Sequence, residues 1–118
     1  MTRDEHDDII DAAIRILLEV DRCITVGFSP DGISIRFPTT RKLAEFLGIP
    51  HYYVLPRFGE MERDGLIRRV ERVGISTTAA GTERLLSIMA ERYSERAEDL
   101  LGRDIFAVLR RKAGSLPG

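Results

Sequence analysis

The sequence predicts an α+β chain that is mainly helical, on three observations. Apolar residues recur at helical spacing over 8–22, 39–65 and 82–112. Two shorter stretches, 23–37 and 66–78, are rich in β-branched residues on either side of tight-turn sequences. The length of 118 residues, with 43% apolar side chains, suits one domain and one core, 1–118.

In chain order, the first helix places Ile9, Ala13, Ile16 and Val20 on one stripe and Ile10, Ile14, Leu17 and Leu18 on a second beside it. Asp7 and Asp8 stand where a cap and the positive end of the helix dipole favour carboxylates. The apolar face is wider than one small core requires, so part of it is expected to meet a second subunit. Next, "CITVGFSPDGISIRFP" is two strand-like runs about Ser29-Pro30-Asp31-Gly32, where proline presets one turn dihedral and glycine supplies a positive φ. A β-hairpin is expected over 23–37. Cys23 reads as a core side chain at its start.

Thr39 is placed as the N-cap of a short helix carrying Leu43, Ala44, Phe46 and Leu47, and Gly48 as its stop. Val54, Phe58, Met61 and Leu66 continue an apolar stripe after a tight connection, which is a helix-turn-helix pattern over 39–65. Pro56 and Gly59 interrupt that stripe. A continuous helix through the proline loses roughly 3 kcal/mol, so the second helix is expected to be kinked or in two pieces, with 50–55 as a separate turn. A smaller hairpin follows over 66–78, with Arg72 near its tip. The last third reads as one long helix of about five turns, with Leu86, Met89, Tyr93 and Leu100 along a narrow seam. Gly102 interrupts it, and Asp104 caps a final short helix that Gly114 ends. The closing "SLPG" reads as frayed.

Composition excludes several chemistries. The balance of 18 basic against 19 acidic residues gives no strong overall field. That balance hides a polarity: residues 36–72 hold eight basic against five acidic residues, whereas the first 22 hold three against seven. One cysteine and two histidines have no metal-ligand spacing, and no nucleophile–base set or phosphate loop is present in the sequence. No catalytic residue, metal or cofactor is expected. No apolar run nears the ~18 residues that span a bilayer, and "MTRDEHDD" lacks the basic start of a signal peptide, so a cytoplasmic chain without a membrane partner is expected.

From Thr39 to Gly81 the chain resembles the winged helix-turn-helix domain of prokaryotic transcription regulators of the MarR, PadR and ArsR groups. The resemblance rests on "TTRKLAEFLGIP", "VLPRFGEMERDGLI" and "TTAAG", with Leu-Ala-x-x-Leu-Gly, Glu-x-Asp-Gly-Leu-Ile and Thr-x-x-Gly as landmarks. Thr77 stands where the family often has leucine, and the hairpin at 23–37 is not a standard part of that fold. The resemblance implies a regulator that binds double-stranded DNA as a homodimer. His51, Tyr52, Tyr53 and Arg57 would then face the major groove, and Arg41, Lys42, Arg68, Arg69 and Arg72 the phosphates. It also implies pairing through the helix after the wing and the first helix, by Ile10, Ile14, Leu17, Leu86, Met89, Tyr93 and Leu100. An effector, if one is held, is not identified by any residue. The alternative is a winged helix used as a protein-interaction module, consistent with a pI near 6.1 and with Tyr52, Tyr53 and Leu55 on the reading surface.

Overall fold

The computed structural model describes residues 6–114; the acidic start before His6 and the final Ser115–Gly118, expected to fray, lie outside them. The described chain is mainly helical with two small antiparallel sheets: α1 (Asp7–Arg15), β1 (Val26–Ser29), β2 (Gly32–Ile35), α2 (Thr40–Leu47), α3 (His51–Arg63), β3 (Ile67–Val70), β4 (Gly74–Thr77), α4 (Ala79–Arg92), α5 (Ser94–Leu101) and α6 (Arg103–Gly114). An α+β class is therefore observed.

α1 runs on into a wider, π-type segment, Ile16–Val20, closed by a bond from the Asp21 N–H to the Ile16 carbonyl. Both of its apolar stripes except Val20 are buried. Asp7 and Asp8 lie in its first turn, with His6 at the cap position; Asp7 pairs with Arg84, and Asp8 pairs with Arg57 while also accepting from the Asp8 and Ile9 N–H groups. The His6 ring is buried, with Nε2 2.7 Å from the Asp64 carboxylate at the end of α3.

The turn at Ser29–Gly32 forms as expected, with Ser29 opposite Gly32 in register. Cys23 does not enter the core; it is exposed just after α1 ends, where Arg22 takes a left-handed φ of 51° and turns the chain outward. The first hairpin also braces the second. Beyond β2, Arg36 bridges to Ser76, and the Phe37 N–H bonds the Ile75 carbonyl at 2.8 Å. Behind this seam a chain of polar groups closes on β2: the Ile35 N–H donates to the Thr77 hydroxyl at 2.8 Å. The Thr77 and Thr82 oxygens lie 2.7 Å apart, and the Thr82 hydroxyl donates to the Ile33 carbonyl at 2.6 Å. Thr77 is thus buried because its hydroxyl is used, which a leucine could not do.

α2 is capped as its sequence requires. The Thr39 side chain accepts from the Lys42 N–H at 3.1 Å, and Gly48, at φ 68°, lets the Gly48 and Ile49 N–H groups bond back to Glu45 and Ala44. α3 is not divided into two pieces: it is one helix from His51 to Arg63, with Pro56 inside it. Val54, Phe58 and Met61 are buried to within 1% of full enclosure. At about 2 kcal/mol for each buried side chain, their packing outweighs the roughly 3 kcal/mol that proline costs. Pro56 sits on the exposed side of the helix. Replacing it with alanine restores an intrahelical bond to Tyr52 and should raise stability by about 2 kcal/mol in urea unfolding; a lower midpoint would mean that the ring itself packs.

The expected long C-terminal helix is instead two, α4 and α5, broken at Tyr93, whose ψ of 29° at φ −135° leaves the helical region. Gly102, at φ 86°, then turns the chain so that α6 packs back along α4, burying Phe106, Leu109 and Ala113. α4 begins at Ala79, capped by the Thr78 hydroxyl, which accepts from the Gly81 N–H at 3.1 Å.

Candidate functional site

The first half of α3 holds a run of large apolar groups in solvent. Its inner face is fixed by Val54 and Phe58, and the outer positions follow from helical geometry. Tyr52 is 66% exposed, Tyr53 59% and Leu55 44%. The two tyrosine rings lie 4.8 Å apart at 37°. Leu47 and Ile49, at the end of α2, are 39% exposed each and extend the tract. His51 is half-buried, with Nε2 2.7 Å from the Thr40 hydroxyl, so it ties the first residue of α3 to the first of α2.

Arg57 does not share the outer face. It is half-buried and turned toward α1, its Nη2 2.6 Å from the Asp8 carboxylate and its Nε 3.9 Å from Glu60. Burial pushes the Asp8 carboxyl up, but the hydrogen bond and charge of Arg57, with two backbone N–H groups, outweigh it and hold the group below the usual carboxylate range. The pair sits α3 against the start of α1, beside the His6–Asp64 contact. Reading Arg57 as outward failed because spacing alone puts it at the edge of the buried stripe, and the carboxylate that draws it in is 49 residues away.

The basic residues divide into engaged and open ones. Lys42 is engaged, its Nζ 2.6 Å from Asp21; Arg69 reaches Glu62 at 3.5 Å; Arg36 donates to the Val73 carbonyl from Nε and Nη2, at 3.2 and 2.5 Å. Arg41, Arg63, Arg68 and Arg72 are exposed and make no ion pair among the described residues. Arg41 is in the first turn of α2, and Arg72 is at the tip of the second hairpin with a left-handed φ of 67°. Arg68 and Arg69 point to opposite faces of their strand; Arg69 faces α3, and Arg68 lines a shallow hollow with Ser29, Asp31 and Thr78. Arg63 was missed as a site residue. It falls on the line of Tyr52, Pro56 and Gly59 at helical spacing, and that spacing was the available signal.

The seven residues expected to pair two subunits are used inside the chain. Ile10, Ile14, Leu17, Leu86 and Met89 are buried, and Leu100 packs half-buried on the same core. Tyr93 is half-buried and donates its hydroxyl to Asp11 at 2.8 Å; burial first, then this bond, push its phenol up. The surplus apolar face of α1 is covered by α4, and the seam on α4 by α6. A cleft of about 390 Å³ opens between the end of α1, the base of the first hairpin and the second hairpin's tip, lined by Leu17, Asp21, Cys23, Lys42 and Val73. Among the described residues no group of three or more His, Cys, Asp or Glu side chains could hold a metal ion, and no helix is long and apolar enough to cross a membrane.

Compared with protein-family models, with curated proteins and with solved structures, the chain matches none significantly.

Proposed function

We propose that the chain is a winged helix-turn-helix protein that binds double-stranded DNA and controls transcription, with α3 in the major groove and the β3–β4 hairpin as the wing. The carrying observation is the geometry of α3: Tyr52, Tyr53 and Leu55 are held out on a helix whose other face is sunk in the core. Arg41 before it, Arg63 at its end and Arg72 on the following hairpin stand without ion pairs among the described residues. The Arg36–Ser76 bridge adds support, since it seats the proposed wing against the strand preceding α2. A homodimer would form on surfaces other than the expected seam; Phe28 at 72%, Ile105 at 58% and Val20 at 57% exposure are the apolar groups left outside the reading unit.

Three phosphate contacts release about three counterions, so the log–log dependence of affinity on salt should have a slope near −3, roughly sevenfold weaker binding per doubling. Anisotropy of short labelled duplexes measures this, and Arg41→Ala with Arg72→Ala should bring the slope to about −1. One observation favours a second reading, a protein partner: the outer face from Leu47 to Leu55 is apolar and Arg57 is withdrawn from it. Binding that barely responds to salt, or none to any duplex, would favour that partner over DNA.

A further inference from the structure

We infer that the outer face of α3 selects thymine-bearing sequence through the C5-methyl groups in the major groove, an inference that rests on the DNA-binding reading above. A major groove offers forked acceptors on guanine, an acceptor–donor pair on adenine, a donor on cytosine, and on thymine one acceptor beside the groove's only apolar group. Reading guanine takes an arginine or lysine fork, adenine an Asn or Gln amide, and cytosine a carboxylate. Between His51 and Gly59 the chain has no amide and no carboxylate. Its one guanidinium in that stretch, Arg57, is bonded to Asp8 at 2.6 Å on the side facing α1, and the His51 Nε2 is engaged by Thr40.

What α3 holds outward is the Leu55 side chain, the two adjoining, mutually tilted tyrosine rings and the exposed edge of Pro56. Their only polar atoms are two phenol oxygens, each able to donate to thymine O4. Apolar carbon on the protein therefore has one matching surface on the duplex, and a methyl removed from water there is favourable. The occupant is a duplex and not an apolar protein groove because the exposed arginines on these elements stand without ion pairs among the described residues while the neighbouring Glu60 and Glu62 lie near Arg57 and Arg69: Arg63 continues the line of Tyr52 along α3, and Arg41 is in the first turn of α2. Discrimination comes from the apolar contacts, and the arginines add affinity without sequence information.

The test is selection of a duplex from a random-sequence pool by the full chain, followed by titration of that duplex made with thymidine and with deoxyuridine, which lacks only the methyl. Binding should weaken by about fourfold for each contacted methyl, with the salt slope unchanged because the phosphate contacts are the same. Leu55→Ala, an exposed position that should not disturb folding, is expected to bind the two duplexes with a smaller difference. Equal affinity of the unaltered chain for both duplexes overturns the inference and leaves DNA binding standing. A thymidine preference that Leu55→Ala leaves undiminished also overturns it. Failure to retain any duplex at low salt overturns both.

Discussion

Gly81→Ala should destabilise the chain by about 2 kcal/mol or more. Gly81 is the third residue of α4, where its N–H donates to the capping Thr78 hydroxyl. A Cβ at that position would stand 1.8 Å from the Leu66 carbonyl oxygen, 2.8 Å from its carbon and 3.2 Å from the Thr77 Cβ. The first two are main-chain atoms, which no rotamer change can move. Relief needs α4 to withdraw, breaking the bond from the Thr78 N–H to Leu66 at 3.0 Å and that from its hydroxyl to Gly65 at 2.5 Å. Overpacking costs typically reach about 3 kcal/mol, and alanine's better helix propensity returns only about 1. Gly59 is the internal control: it is also helical, a Cβ there meets nothing within 4 Å, and Gly59→Ala should raise stability by about 0.5–1 kcal/mol. Urea midpoints of the two variants should move in opposite directions. An unchanged midpoint for Gly81→Ala would mean that α4 does not seat on Leu66.

The second large effect is expected from Phe58→Ala, a loss of about 3–5 kcal/mol. Phe58 is 1% exposed, and its ring meets the edge of Phe37 with centroids 5.7 Å apart at 66°. Phe37 is bonded to Ile75, so this contact fixes α3 to the seam of the two hairpins as well as to the core. Truncation leaves a cavity that α2 and β3, both packed on α3, cannot fully close. The loss is a large part of the 5–15 kcal/mol that holds a typical domain. Phe58→Leu retains much of the volume and should cost less than half as much. Comparable losses for the two substitutions, read by thermal unfolding, would place the effect in the ring stacking and not in the cavity.

Much of this architecture is legible in the sequence because the signals are local. Thr39 and Gly48 bracket α2, Ser29-Pro30-Asp31-Gly32 turns the first hairpin, and the Val54, Phe58, Met61 stripe orients α3. Where reading failed, a distant partner decided the outcome. Pro56 argues locally for a break, but tertiary packing of the same helix outweighs it. The seam of Leu86 and Met89 suggests a second subunit until Gly102 returns α6 across it, and a chain reversal carries no periodicity to read. At the candidate site the exposed tyrosines and the tip position of Arg72 follow from spacing. Arg36, Lys42 and Arg57 do not, because the groups that engage them are 37, 21 and 49 residues away.

The grip of Arg36 on the Val73 carbonyl, together with the Phe37–Ile75 bond, has a kinetic meaning. In the DNA-binding reading proposed above, a hairpin arm tethered along its second strand and at its apex would reach its target already shaped, so little chain entropy would remain to be lost at contact. Association would then be governed by diffusion and charge steering, without a slow ordering step. Cutting the tether with Arg36→Ala would show as a slower on-rate and faster amide exchange at Val70 and Gly74, even where the equilibrium shape of the arm is kept.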